Sequence, residues 1–257
     1  DVSSFKDGTV RYDMTDLPVT SVRPEELDTT AAEFRRLGYE SDIDGEPLQH
    51  DDQLVELKVQ DIVLPDGAAE HMMRTADFVD DLLERFYGLD PFYEVEERED
   101  LVGELVFGMA PHTSAAVVGR VVGFTSAAVG YAHPYFHAAK RRNCDGDEDC
   151  VMLLLDGLLN FSKEFLPDQR GGRMDAPLVM SSRIDPSEID DEAHNMDIVR
   201  QYPTEFYEAS LEMADPGEVE DLIQIGEDTL GTDDEYHGFD HTHDTGDLAL
   251  GPDLSAY

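Results

Sequence analysis

Residues 140–149 read Lys-Arg-Arg-Asn-Cys-Asp-Gly-Asp-Glu-Asp, so a cluster of cations runs directly into a cluster of carboxylates. Asp145 and Asp147 flank Gly146, and a tight turn there would aim both carboxylates at one point. Mg²⁺ in proteins takes oxygen ligands of this kind, usually one or two carboxylates together with substrate phosphates. The stretch therefore predicts a loop over residues 140–147 that takes part in metal-assisted phosphoryl chemistry.

Two other interpretations of these acids come from the residues themselves. One is a solvated acidic turn, which is common in a chain so rich in acids. The other is an EF-hand, since the spacing of Asp145, Asp147, Asp149 and Asp156 fits four of its ligand positions. The EF-hand fails because Cys150 stands where that loop requires Gly and an apolar run follows.

The cationic run at residues 140–142 is unusual in this sequence. The chain has 18 basic residues against 59 acidic ones, and Lys occurs at only four positions. A run of cations is usually a solvated face, but the scarcity of Lys favours a functional role here. Lys140, Arg141 and Arg142 are therefore predicted to hold an anionic substrate beside the metal.

Apolar periodicity predicts two helices on either side of this stretch. The first begins at Asp66 and ends at Gly88, with Met72, Ala76, Val79, Leu83 and Phe86 on its buried face. The second is predicted from about 149 to 166, stopped by Pro167. Its apolar stripe comprises Val151, Leu154, Leu155, Leu158, Phe161 and Phe165.

The remaining patterns predict an α+β chain in three segments. Residues 1–65 form a β-rich segment with a turn at Asp44-Gly45, 66–185 a core segment, and 186–257 an acidic helical and loop segment. Within them we predict a loop rich in acids at 90–100, a strand at 177–182, and helical structure at 186–213 interrupted near Pro203.

The net charge of −41 over 257 residues is the dominant feature of the composition. Disorder is rejected for most of the chain because 40% of its residues are hydrophobic and periodically arranged. Acid excess with scarce Lys is typical of the cytosol of a salt-accumulating halophile; an acidic partner-binding protein is the alternative. In molar salt the Debye length falls to about 3 Å, so local cationic clusters decide whether a polyanion binds.

Cysteines and histidines give weak signals. Cys144 and Cys150 have neither metal-ligand spacing nor a disulfide framework around them, which fits a reducing cytoplasm. His133 and His137 are predicted to be packed in the interior, and the intervening Pro134 argues against a regular helix. A zinc site is only weakly indicated by the three histidines of the tail, His237, His241 and His243. No membrane span or signal peptide is predicted.

Residues 133–149, which read His-Pro-Tyr-Phe-His-Ala-Ala followed by the stretch quoted above, resemble the catalytic region of the large subunit of archaeal D-family DNA polymerase. Residues 111–115, 172–178 and 241–245 are similar to further stretches of that family. The resemblance covers most of the chain and is most specific at 131–185. That subunit is much longer, so this chain is expected to be a portion of it, without the subunit's Cys-rich zinc motifs.

The resemblance implies a fold, an activity and a set of site residues. The expected fold is part of a double-psi β-barrel catalytic core with surrounding helices. The expected activity is DNA-directed DNA synthesis in archaeal replication with two Mg²⁺ ions, or Mn²⁺. Asp145 and Asp147 would be the metal-binding catalytic aspartates, supported by Asn143, and Asp149 has no assigned role. The residues that would bind phosphates of DNA or nucleotide are Lys140, Arg141, Arg142 and Arg173.

The implied partners are primer-template DNA, a deoxynucleoside triphosphate, the small exonuclease subunit and a sliding clamp. The implied location is the cytoplasm, without membrane contact. Two alternatives stay open from the sequence. One is an RNA-polymerase-like or primase nucleotidyltransferase, and the other is a non-catalytic scaffold fragment of a replication complex.

The charge predicts that folding requires high salt. At −41, self-repulsion opposes compaction until counterions screen it. Unfolding followed by circular dichroism should give a midpoint that rises steeply with salt concentration. Full stability in dilute buffer would contradict the halophile interpretation.

Overall fold

The computed structural model describes residues 2–4, 10–111, 113, 115–143, 145–160, 179–195, 202–223 and 225–239. The strands in this part are β1 (Val2–Ser4), β2 (Val10–Pro18), β3 (Ser21–Val22), β4 (Val55–Glu56), β5 (Asp61–Pro65), β6 (Leu105–Met109), β7 (Ala115–Thr125), β8 (Val129–Ala132), β9 (Glu148–Leu153) and β10 (Val179–Ser181). The α-helices are α1 (Ala31–Arg36), α2 (Asp66–Leu82), α3 (Pro134–Ala139), α4 (Leu154–Asn160), α5 (Thr204–Leu211) and α6 (Pro216–Val219). The chain therefore has the α+β class that the sequence predicts.

Six of these strands pair in a closed cycle. β2 pairs with β8, β8 with β5, β5 with β7, β7 with β6, β6 with β9, and β9 returns to β2. The β2–β8 and β5–β7 pairs are parallel, and the other four are antiparallel. β1 adds to β2 and β10 adds to β7 outside the cycle, while β3 and β4 form a separate ribbon. We call these six strands the ring.

The hydrophobic core fills the ring and the space beneath α2. Ile62, Val63 and Leu64 of β5 are buried, as expected for a strand with partners on both edges. α2 buries one face at helical spacing, as predicted, with Met72, Ala76 and Val79 fully enclosed.

The end of α2 departs from the predicted stripe. Residues Leu83–Tyr87 form a π-helical turn, and Gly88 ends it with a φ of 66°. A π turn has more residues per turn than an α-helix and therefore shifts the phase of the side chains that follow. Phe86, predicted on the buried face, is consequently 76% exposed.

The helix predicted from about 149 to 166 is wrong in its first part. Residues Glu148–Leu153 form strand β9, and the helix α4 begins only at Leu154. β9 is hydrogen-bonded to β2 on one edge and β6 on the other, and all of its residues after Glu148 are buried. A strand buried on both faces has the same continuous apolar run as a buried helix, so periodicity does not separate them. Residues 161–166 lie outside the described residues.

Other local predictions have mixed outcomes. The turn at Asp44-Gly45 is confirmed, and β10 lies within the strand predicted at 177–182. The short helix α1 was not predicted. Pro134 was wrongly taken as evidence against a helix: it occupies the first turn of α3, where a missing amide hydrogen costs nothing.

Between 186 and 195 the predicted helix is replaced by two 3₁₀ turns, Pro186–Glu188 and Asp191–Ala193. After Pro203, α5 follows as predicted, and residues 196–201 lie outside the described residues. Within the part of the chain that the structure describes, no helix has the length and apolar character needed to cross a membrane.

Gly123 of β7 is a sensitive position because Leu27, the last residue of the 3₁₀ turn Pro24–Leu27, approaches it closely. A Cβ atom added at Gly123 would lie 2.6 Å from the Leu27 Cβ and 2.9 Å from the Leu27 carbonyl oxygen. We expect Gly123→Ala to reduce the free energy of unfolding by about 1–3 kcal/mol through overpacking.

Thermal or denaturant unfolding at constant high salt would measure this change. Gly217→Ala is the matched control, because its added Cβ would meet nothing closer than Asp215 Oδ1 at 3.5 Å. Equal stability of the two variants would contradict the packing seen at Gly123.

Candidate active site on the acidic loop

The acidic loop, residues 140–147, connects the end of α3 to the start of β9. At its start, the Lys140 and Arg142 amides donate to the His137 carbonyl at 3.0 and 3.1 Å. At its end, the Asp16 amide of β2 donates to the Asp147 carbonyl at 3.0 Å. Gly146 adopts a φ of 100°, a left-handed conformation in which a side chain would be strained. The start of the predicted loop is therefore fixed to α3, and its end is fixed to β2 of the ring.

Asn143, Asp145 and Asp147 lie together on this loop. Asn143 and Asp145 are exposed, and the Asp147 side chain is 36% exposed. The Asn143 backbone amide donates to Asp147 Oδ2 at 3.0 Å. Arg142 Nη1 lies 3.8 Å from the same oxygen. The supporting contact from Asn143 thus comes from its backbone amide, which orients the Asp147 carboxylate.

The donor set of the loop suits a hard divalent cation. Asp145 and Asp147 supply carboxylate oxygens near solvent, and Mg²⁺ is usually held by one or two carboxylates with waters and substrate phosphates filling its other positions. A complete protein cage is not required for such an ion. Asp145 and Asp147 therefore offer accessible ligand atoms of the chemical type that Mg²⁺ takes.

The cations of residues 140–142 separate into one buried and two accessible side chains. The Lys140 side chain has no exposed surface and its ammonium is bonded to Asp149, so in this structure it cannot reach a phosphate. Arg141 is exposed and Arg142 is partly exposed. Arg173 lies outside the described residues.

A cleft of about 580 Å³ opens beside the loop and adds a cation that the sequence did not single out. Its lining includes Arg141, Arg142 and Asn143 from the loop and Arg183 from the segment after β10. Its lining also includes three acids, Asp185, Glu188 and Asp190. Arg183 had no motif around it; its only sequence signal was being a cation in a cation-poor chain.

The third acid of the cluster differs from the first two. Asp149 lies in β9 and is fully buried, and burial raises the pKa of its carboxyl while the Lys140 ammonium opposes that rise. No role was predicted for Asp149 from the sequence, and the structure places it beside Lys140 in a buried group with Asp16 and His137.

The histidines and cysteines considered in the sequence analysis are, where the structure describes them, either buried or peripheral. His133 and His137 are buried, as predicted. Burial raises the pKa of the Cys150 thiol to about 12, and its Sγ lies 3.2 Å from the Met109 carbonyl oxygen. His237 Nδ1 is 4.0 Å from Glu56 Oε2. The other two tail histidines and Cys144 lie outside the described residues.

Comparison with known proteins gives a consistent result over the whole sequence. The family described as DNA polymerase II large subunit DP2, catalytic domain, matches residues 1–257. A DNA polymerase II large subunit from the haloarchaeon Natronomonas pharaonis is 84% identical over 256 residues, which cover 100% of this chain and 21% of the relative. The corresponding subunit from Pyrococcus furiosus is 59% identical over 257 residues, covering 100% of this chain and 20% of the relative.

A third relative, from Methanosarcina barkeri, is 58% identical over 257 residues and is covered to 22% of its length. The chain thus spans about a fifth of the length of these relatives. One of them, the Natronomonas pharaonis subunit, comes from a haloarchaeon, which agrees with the acid-rich and Lys-poor composition of this chain. The match along the entire sequence, together with the acidic loop, shows that this chain belongs to the family of archaeal DNA polymerase II large subunits, within the DP2 catalytic domain.

Proposed function

We propose that this chain carries the metal-binding part of the active centre of a replicative DNA polymerase. The reaction is nucleotidyl transfer from a deoxynucleoside triphosphate to a primer 3′-hydroxyl. The observation that supports this most directly is the pair of accessible carboxylates, Asp145 and Asp147, on a loop fixed at its start to α3 and at its end to β2. Because the chain spans about a fifth of its relatives, the complete active centre includes parts of the large subunit beyond it.

We also propose that the ring is a double-psi β-barrel. The supporting observation is the closed cycle of six strands with mixed parallel and antiparallel pairing. In this proposal the acidic loop projects from the ring between α3 and β9, as a catalytic loop on a rigid scaffold should.

The loop supplies the metal ligands, a group that orients one of them, and two of the three proposed phosphate-binding cations. Asp145 and Asp147 would hold a Mg²⁺ ion that lowers the pKa of the primer hydroxyl, and a second Mg²⁺ would neutralise charge on the leaving pyrophosphate. The Asn143 amide keeps the Asp147 carboxylate in one orientation through its 3.0 Å hydrogen bond. Arg141, Arg142 and Arg183 provide positive charge in the cleft beside those carboxylates, where phosphates of the substrates would bind.

Binding a polyanion to a chain of charge −41 requires that this charge be screened. Exposed charges separated by more than a Debye length hardly interact, and this length is about 3 Å at 1 M salt. Phosphates in the cleft would therefore interact mainly with groups that touch them. The three arginines and three acids that line the cleft then count more than the acids elsewhere on the surface, and a phosphate would bind at the arginine side chains.

The proposed partners follow from the family. The printed name of the relatives, large subunit, implies a small subunit, and the proposed reaction requires primer-template DNA and a deoxynucleoside triphosphate. The exonuclease activity of that small subunit and an association with a sliding clamp remain proposals from the resemblance.

Replacing either accessible aspartate should abolish nucleotide addition while leaving the fold intact. Asp145→Asn and Asp147→Asn keep the side-chain shape but remove a charged ligand. The expected loss is on the order of 4 kcal/mol of transition-state stabilisation, roughly a thousandfold in rate. Single-turnover primer extension by the assembled large and small subunits at high salt, over a range of Mg²⁺ concentrations, measures it.

Glu148→Gln is the matched control, because Glu148 is an exposed acid next to the loop. It should extend primers at close to the wild-type rate. Unchanged rates and Mg²⁺ dependence in the Asp145 and Asp147 variants would remove the proposed function.

Removing the accessible arginines should weaken substrate binding rather than chemistry. Arg141→Ala, Arg142→Ala and Arg183→Ala are each expected to lower DNA or nucleotide affinity. For DNA, each lost phosphate contact should reduce the slope of log K against log salt by about one. Arg85→Ala is the control, because Arg85 is an exposed arginine on the π turn after α2, and it pairs with a neighbouring acid, Asp81, at 2.9 Å.

Binding titrations with labelled primer-template at several salt concentrations measure these slopes. If the slopes of the cleft variants equal those of the wild type and of Arg85→Ala, the cleft does not contact phosphates.

A further inference from the structure

Four ionisable side chains are buried together beneath the acidic loop. Asp16 belongs to β2, His137 to α3, Lys140 to the start of the loop and Asp149 to β9; each is at most 4% exposed. Burying charged groups without partners is costly. Lys140 and Asp149 satisfy one another, whereas neither carboxylate oxygen of Asp16 has a hydrogen-bond partner among the described residues. The group is the most deeply buried set of charges near the proposed active centre among the described residues.

Its central interaction joins the two ends of the loop. The Lys140 ammonium donates directly to Asp149 Oδ2, and both side chains are fully enclosed. Lys140 is the first residue of the loop, and Asp149 follows its last residue by two positions. Between them lie the accessible Asp145 and Asp147. The ion pair therefore closes the base of the loop that carries the proposed metal ligands.

The same group ties the loop to strand β2. His137 Nδ1 lies 3.1 Å from Asp16 Oδ2 and 3.2 Å from Lys140 Nζ, and its Nε2 lies 3.0 Å from the Leu17 carbonyl oxygen. The backbone amide of Asp16 donates to the Asp147 carbonyl at 3.0 Å. One residue of β2 thus contacts the histidine below the loop and the backbone of a proposed metal ligand.

A metal ion is an alternative occupant of this group. Asp16, His137 and Asp149 each offer a ligand atom, and these atoms lie within 4.8 Å of one another. The Lys140 ammonium, however, already contacts Asp149 and lies beside His137. An ammonium in that place repels a second cation and supplies the positive charge that the carboxylates require.

We infer that the Lys140–Asp149 pair is a clasp that positions Asp145 and Asp147 for metal binding, with His137 and Asp16 anchoring the clasp to β2. Lys140 and Asp149 are positioning residues and do not touch substrate. The inference rests on the proposed function of the loop. It also accounts for the one cation of the 140–142 run that is withdrawn from solvent.

The test removes both members of the pair, so that neither is left buried without the other. The double variant Lys140→Met with Asp149→Asn, in the full-length large subunit assembled with the small subunit, keeps approximate side-chain volumes. We expect near-normal thermal unfolding and DNA binding. We also expect kcat to fall on the order of a hundredfold, as for a small misplacement of catalytic groups, and the Mg²⁺ concentration for half-maximal rate to rise.

The matched control is Arg120→Met with Asp61→Asn. This pair links the ring strands β5 and β7, with a 2.6 Å contact between Arg120 Nη2 and Asp61 Oδ2, and neither residue lines the cleft beside the loop. It should affect stability at least as much as the clasp variant and leave kcat and the Mg²⁺ dependence unchanged.

Several outcomes would overturn the clasp. One is wild-type kcat and Mg²⁺ dependence in the double variant. Another is an equal loss of kcat in the control. A third is a metal that copurifies with the wild type in stoichiometric amount and is lost in Asp16→Asn.

If the double variant does not fold, Asp149→Asn alone, which keeps an acceptor for Lys140, serves as the second variant. A wild-type Mg²⁺ dependence there would also overturn the clasp. If Asp145→Asn retains activity in the same assay, the proposed function fails instead.

Discussion

Strand β9 is hydrogen-bonded along both edges, to β2 and to β6, and the position of the acidic loop depends on this double pairing. The chain is fixed from Glu148 onward because β9 starts there. It is fixed before the loop because α3 buries Tyr135 and Phe136 in the core. Only the middle of the loop is therefore free to face solvent. If the β2–β9 pairing opened, the ring would open with it, and the two ends of the loop would no longer be held together.

Charge alone does not distinguish the proposed metal ligands in this chain. With 59 acidic residues, exposed carboxylates occur over the whole surface. Asp145 and Asp147 differ from the others in position, since they share a loop with two accessible arginines, and those arginines line a cleft together with a third, Arg183. Their neighbours thus combine ligands for a cation with partners for phosphates, which is the pairing that metal-assisted phosphoryl chemistry requires.

The sequence predicted correctly an element that buries only one of its faces, because such burial leaves a periodic pattern of apolar residues. α2 was found from its spacing because only one of its faces is buried. β9 was mistaken for a helix because its apolar residues after Asp149 meet neighbours on every side, which removes the periodicity. The family and the loop were found through a specific run of residues, but no pattern indicates whether a given cation in such a run is buried.

Lys140 shows why the burial of a cation in this run could not be predicted from the sequence. Its partner Asp149 is nine positions away and belongs to a strand that the apolar pattern did not reveal. Arg183 escaped notice for a similar reason: the segment that carries it reaches the loop only through the fold. Contacts between distant segments depend on strand pairing, which in this ring joins β2 to a strand more than a hundred residues later.

The alternation of Asp145, Asp147 and Asp149 illustrates how the backbone assigns different tasks to one residue type. In a continuous strand these three side chains would share a face. Here Gly146 adopts a left-handed conformation and β9 begins only at Glu148, so the first two are accessible and the third is enclosed. Accessible pairs such as Arg74–Glu70, at 3.2 Å, are weakened by salt, whereas buried pairs are screened much less. A loop held at its base by an enclosed ion pair therefore keeps that attraction at the salt concentrations that this acidic surface requires.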